Sequence, residues 1–166
     1  TLIVVTADHE TGGIVLGRGP YELHTDVFRF QQMSTEAYND HLKELQAKKG
    51  DRLTWEVVKR DLEKNWGFGA GVNLSEKQMD RLKKAFDDMK SGHSKDRKSL
   101  YSSIGRLAET ARMVMAECAL VGWQSGGHSN GYVPAFAIGV GAEQFQGQID
   151  NTEIPLKMAK AAGWKN

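Results

Sequence analysis

The chain has 166 residues, 40% of them hydrophobic and 26% charged, which suits a domain with a real core and excludes wholesale disorder. Its 22 basic and 21 acidic residues leave a net charge of +1, so the composition calls for neither a nucleic-acid partner nor a charged membrane surface. One cysteine, Cys118, excludes an internal disulfide and a cysteine zinc cluster, and no apolar run approaches the roughly 20 residues that span a bilayer.

The first zone, residues 1–33, reads as strands. "TLIVVTA" at 1–7 is nearly continuous apolar, the pattern of a central strand buried on both faces. It ends in Asp8, His9 and Glu10, which are costly to bury without partners, and then in Gly12 and Gly13, which permit a turn. "GIVLGR" at 13–18 resumes a short apolar stretch. "DVFRFQ" at 26–31 sets Val27, Phe28 and Phe30 among polar residues and reads as a further strand.

The middle zone, 34–120, reads as helices. Ser34 can cap a helix with Tyr38, Leu42 and Leu45 on one face, and Thr54 another with Trp55, Val58, Leu62 and Trp66. The glycine-rich "GFGAGVN" at 67–73 breaks the pattern. Ser75 and Gln78 then form a capping box ahead of Met79, Leu82, Phe86 and Met89. "KSGHSKDRK" at 90–98 carries no interleaved aromatics and reads as a solvated loop. A long helix follows, with Leu100, Ile104, Leu107, Ala111, Val114 and Cys118 on one stripe, where Cys118 is a core residue.

The last zone, 120–166, returns to α/β. "ALVGWQ" leads into the glycine-rich "SGGHSNG", and "VPAFAIGVG" at 133–141 reads as a buried strand. Thr152 is placed to cap a final helix that tolerates Pro155 in its first turn and stops at Gly163. The layout is strands, a helical insertion over 34–99, and strands again. That predicts a single α/β domain over 1–166, interrupted by its insertion.

Two polar turns share a design. "ADHETGG" carries His9 and "GGHSNG" carries His128, each bracketed by glycines and each following an apolar segment. In a mostly parallel sheet, functional groups gather at the carboxyl ends of strands, so both turns can face one crevice. Asp8, His9 and His128 are suitable zinc ligands, with Glu10 or Thr11 placed to hydrogen-bond them. The same residues also serve as turn caps and loop histidines, and three ligands fall short of a closed four-ligand site. Spacing alone leaves both readings open. His24, His41 and His93 have no comparable setting, and His41 and His93 read as exposed. There is no phosphate-cradling G-x-x-x-x-G-K-[ST] loop and no G-x-S-x-G elbow, and "GFGAG" follows no clear strand.

"TLIVVTADHETGG" at 1–13 resembles the zinc-binding strand and turn of the alkaline phosphatases. "SGGHSNGYVPAFAIGVGAEQFQGQIDNTEIPLKMAKAAGW" at 125–164 resembles the same family's carboxyl-terminal block: a metal-binding histidine in a small-residue loop, a following strand, and a "DNT" helix start. Two motifs in the right order make the resemblance specific, while the helical middle matches less clearly. The fold it implies is part of a three-layer α/β sandwich with a mostly parallel sheet. The activity it implies is hydrolysis of phosphate monoesters with two zinc ions and a magnesium, through a phosphoserine intermediate.

Carried across by motif, Asp8 and His9 would ligate the zinc that activates the serine, and His128 the other zinc. Ser129 stands where many relatives have threonine and keeps a small hydroxyl. In the family, the serine, the phosphate-binding arginine, the magnesium ligands and the other zinc ligands all precede the "TADH" strand. The chain therefore reads as the carboxyl-terminal part of such an enzyme, inactive alone and binding metal weakly or not at all. An exposed sheet edge and apolar face predict association, a homodimer included, or an altered first strand. The resemblance also implies a periplasmic or extracellular location. A phosphodiesterase or sulfatase of the same superfamily, or a non-catalytic helical interaction module, are the competing readings.

Overall fold

Helices form in this chain where caps and apolar stripes coincide. The computed structural model describes residues 1–91 and 105–164, so His93, Leu100 and Ile104 lie outside the described residues. The chain folds as two units, Ile14–Trp123 and Thr1–Gly13 with Gln124–Asn166.

The unit Ile14–Trp123 contains β2 (Ile14–Leu16), α1 (Thr35–Lys49), α2 (Trp55–Trp66), α3 (Glu76–Lys90), α4 (Arg106–Cys118) and β3 (Val121–Trp123). The Ser34 hydroxyl accepts from the Ala37 N–H, and Thr54 accepts from the Val57 N–H. Ser75 and Gln78 close a reciprocal capping box. α2 stops at Gly67, whose φ of 72° is the left-handed conformation that favours glycine. A Cβ on Gly67 would also stand 2.6 Å from the Phe30 Cβ.

The stripes read from the sequence meet in one core. Tyr38, Val58, Trp66, Leu82, Leu107 and Val114 have no exposed surface. Trp55 and Cys118 pack at its margin. The aromatics of the helical middle are thus core residues, with Tyr38 edge-on to Trp66 at 5.4 Å and Phe68 stacked at 5.9 Å.

The segment 25–30, expected as a strand, is a 3-10 helix instead (Thr25–Phe30). The three-residue spacing of Val27 and Phe30 puts both against the helical core. Their hydrophobic burial overrides the weak strand alternation. His41 is not simply exposed either. Its Nε2 lies 2.7 Å from Asp61 Oδ1, and Asp61 Oδ2 accepts the Tyr38 hydroxyl at 3.0 Å.

In the other unit, β1 (Leu2–Val5) pairs with β4 (Phe136–Gly139) in the register Leu2↔Gly139 to Val5↔Phe136. A 3-10 turn, Ala142–Phe145, packs on both strands and on α5 (Glu153–Ala161). Thr152 does not cap α5 with its side chain; it is already helical, and Asp150 accepts from its N–H at 2.9 Å and from its hydroxyl at 2.6 Å. α5 ends at Gly163, as its composition predicts, with φ at 71°.

The α/β class holds, but the sheets correct the expectation of a mostly parallel one. Both described ladders are antiparallel: β1 with β4, and β2 with β3. The second follows from connectivity, since a helical segment that leaves β2 and returns through β3 at the same end reverses the strand direction. Nor is β1 buried on both faces. Leu2, Val4 and Ala137 are half-buried, while Ile3, Val5, Phe136 and Ile138 on the opposite face are exposed.

Candidate functional site

β1 delivers its polar turn through a short chain of local hydrogen bonds. The Thr6 hydroxyl donates to the Pro134 carbonyl at 3.3 Å. Gly12 and Gly13 then turn the backbone at φ 103° and 64°. A Cβ on Gly13 would stand 2.9 Å from the Gln124 Cβ, so this position accepts only glycine without displacement. The Gly12 carbonyl accepts from the N–H groups of Gln124 at 2.8 Å and Ser125 at 3.1 Å. That fastens the start of the His128 loop to the end of the "DHETGG" turn.

Asp8 and His9 converge. The His9 backbone N–H donates to Asp8 Oδ1 at 3.0 Å, and the His9 Nε2 lies 3.2 Å from Asp8 Oδ2. His9 Nδ1 is 2.8 Å from the Glu10 carbonyl oxygen. A carbonyl only accepts, so Nδ1 is the donor in this contact and Nε2 is the nitrogen turned toward Asp8. A carboxylate beside an imidazole anchored through its other nitrogen is a donor set that suits zinc.

His128 joins them. Its ring stacks on that of His9, with centroids 3.5 Å apart and an interplanar angle of 25°. All three proposed ligands therefore lie in one small region, with Asp8 and His128 exposed and His9 half-buried. Among the described residues no group of three or more His, Cys, Asp and Glu side chains is arranged to hold one ion. The donors are a pair, Asp8 and His9, with His128 held beside them by its ring.

Glu10 turns away from this pair. Its Oε2 accepts from the Gly12 N–H at 2.7 Å and from the Ser129 hydroxyl, and its Oε1 accepts from the Gly13 N–H. The Ser129 hydroxyl does most to stabilise the carboxylate. Partial desolvation opposes it, the N–H groups of Gly13, Gly12 and Thr11 reinforce it, and the pKa falls to about 2. Thr11 acts through its backbone, with its side chain exposed.

Two features were not anticipated from the sequence. One is the direct Glu10–Ser129 link across the two turns, for which the sequence offers only two polar residues in glycine-rich settings. The other is the Tyr38–His41–Asp61 cluster, whose only signal is Tyr38 and His41 one helical turn apart on α1.

Residues 1–164 match the family model of the alkaline phosphatases. Alkaline phosphatase 3 of Bacillus subtilis (strain 168) is 28% identical over 171 aligned residues, which cover 97% of this chain and 30% of that protein. The crystal structure of a cold-active alkaline phosphatase from a psychrophilic Shewanella sp. matches with a TM-score of 0.67 at 25% identity, covering 100% of this chain and 34% of that one. The chain spans about a third of the length of these relatives.

Proposed function

The chain belongs to the alkaline phosphatase family, and from that membership we propose that it supplies part of the site of a zinc-dependent phosphomonoesterase. The observation that carries the reading is the convergence of Asp8 and His9 at 3.2 Å, with the His9 Nδ1 anchored on the Glu10 carbonyl. In this reading Asp8 and His9 hold one zinc and His128 contributes to a second. Bound there, the two ions would polarise the ester and stabilise its attacking and departing oxygens.

The chain's own residues have narrower tasks. Asp8 supplies negative charge at the strand end. His9 presents one nitrogen in a fixed orientation, and His128 is kept within ring contact of it. The serine that the family's reaction phosphorylates, and the ligands of its magnesium, have no assigned position in this chain. We propose that the 166 residues alone do not turn over and hold zinc weakly.

The substrate class is phosphate monoesters, and a periplasmic or extracellular site of action accords with the family. Among the described residues no helix is long and apolar enough to cross a membrane. We place the helices of 34–99 as an insertion in the α/β domain. A purely helical interaction module is disfavoured by Trp66 and Phe86, which are buried in the core and unavailable to a partner. A phosphodiesterase or sulfatase is disfavoured by the family match over 1–164.

The test is hydrolysis of a chromogenic phosphate monoester by the full-length protein, with and without chelator, beside Asp8→Asn and His128→Ala. Zinc-restorable hydrolysis, lost in both variants, is the expected result. Hydrolysis indifferent to both substitutions would overturn the reading.

A further inference from the structure

We infer that Glu10 is a positioning residue, whose carboxylate joins the Asp8–His9 turn to the His128 loop and so sets the spacing between the two histidines. The argument begins with what a carboxylate offers. It has two oxygens, both acceptors, and here each is engaged within the protein: Oε1 by the Gly13 N–H, Oε2 by the Gly12 N–H and the Ser129 hydroxyl. Three donors from two loops converge on one side chain. Charge-assisted bonds of this kind are stronger than neutral ones.

The side chain also leaves little slack. A Cβ on Gly131 would sit 3.0 Å from the Glu10 Cγ and 3.4 Å from the Ser129 Oγ, so the loop backbone closes directly over Glu10. Ser129 is the immediate chain neighbour of His128. Fixing its hydroxyl fixes the His128 Cα within one peptide unit, because the planar peptide leaves only two soft dihedrals between them. On the other side, the backbone carbonyl of the same Glu10 orients His9 through Nδ1. One residue therefore ties both segments, its main chain to the His9 ring and its side chain to Ser129, the chain neighbour of His128. The stacked pair at 3.5 Å is the outcome.

The residue type follows from this. Glutamine at this position would turn an NH2 group toward one of the three donors and leave that donor unpaired. Aspartate is shorter by one methylene and could not span from the turn to Ser129 while retaining both glycine amides. Serine at 129 is replaceable by threonine, which keeps the hydroxyl, but not by alanine.

The inference rests on the phosphatase reading for its consequence at zinc, and not for the clamp itself, so the experiment has two arms. In the metal-free chain, NMR should show cross-relaxation between the His9 and His128 ring protons, and slowed exchange of the Gly12 and Gly13 amides. Both should be lost in Glu10→Ala and weakened in Glu10→Gln. Ser129→Ala should lose the ring signal, and Ser129→Thr should keep it. The melting temperature of the helical unit serves as the control for global damage. Ring and exchange signatures that survive Glu10→Ala, or Ser129→Thr behaving like Ser129→Ala, would overturn the clamp.

In the second arm, the zinc affinity of the full-length protein is measured by competition with a chromogenic chelator. The dissociation constant should rise about 10–100-fold in Glu10→Ala and Ser129→Ala, and stay near the parent's in Ser129→Thr. If the full-length parent takes up no zinc while the ring signature responds as expected, the clamp stands and the metal reading falls.

Discussion

The helical unit and the β1–β4 unit are held together by different physics. In Ile14–Trp123, Tyr38, Leu53, Val58, Trp66, Leu107 and Met115 are wholly removed from solvent. In the unit of Thr1–Gly13 with Gln124–Asn166, Phe145 is the single buried hydrophobic among the described residues. Its four outward strand residues remain 54–69% exposed: Ile3, Val5, Phe136 and Ile138. The first unit is stabilised by area taken out of water, the second by directed hydrogen bonds such as those on Glu10. Order in the candidate site is therefore polar in origin, and stability and chemistry should respond to different substitutions.

The largest effect should come from the helical core. Leu107→Ala removes a fully buried side chain from α4 and should cost about 2–5 kcal/mol. Phe136→Ala removes a larger side chain, but one 64% exposed, and should stay within about 1 kcal/mol. Urea unfolding followed by tryptophan fluorescence measures both. Equal losses would break the comparison.

Next in size is the polar cluster inside the helical unit. Asp61→Ala leaves the buried Tyr38 hydroxyl and the His41 ring without their shared acceptor, at about 1–3 kcal/mol. The same cluster sets an alkaline limit. Burial, and then the adjacent Asp61 charge, push the Tyr38 pKa upward. The folded state keeps a proton that the unfolded state releases above about pH 10. Fewer protons bound to the unfolded chain make stability fall as pH rises through that range, and it is fully present below it. Absorbance of ionised tyrosine checks this: Tyr38 should ionise only together with unfolding. Titration of Tyr38 in the folded protein would show the cluster to be open to solvent.

This division also explains what was legible in the sequence. α1, α2 and α3 were readable because Ser34, Thr54 and Ser75 mark their starts and their apolar residues recur at helical spacing; all three caps are made. Such signals are local, and burial reinforces them. Strand pairing is not local. Nothing in "TLIVVTA" says which strand it will meet or in which direction, and β1 and β4 come from opposite ends of the chain. The segment 25–30 was misread because Val27 and Phe30 fit a strand and a 3-10 turn almost equally well, and tertiary packing decides. In the site, Asp8, His9 and His128 stood out by residue type and setting. The reach of Glu10 to Ser129 did not, since a contact between distant positions leaves no mark in a single sequence.

The smallest effect on folding, and the sharpest on behaviour, should come from the bare strand face. Ile3 lies opposite Ile138, and Val5 opposite Phe136, so four apolar side chains form two cross-strand pairs on one surface. Water-exposed apolar area of this kind favours self-association, and we propose a homodimer as its simplest form. Replacing Ile3 and Ile138 with threonine keeps the β-branched shape and adds a hydroxyl to a surface already exposed. The double variant should change unfolding free energy by less than about 0.5 kcal/mol, yet shift sedimentation toward monomer at concentrations where the parent associates. A parent that is monomeric throughout a dilution series would show that four exposed side chains are too little area to hold two copies together. The burden of association would then pass to the helical unit, where Ile14, Val15 and Leu16 of β2 are the exposed apolar run.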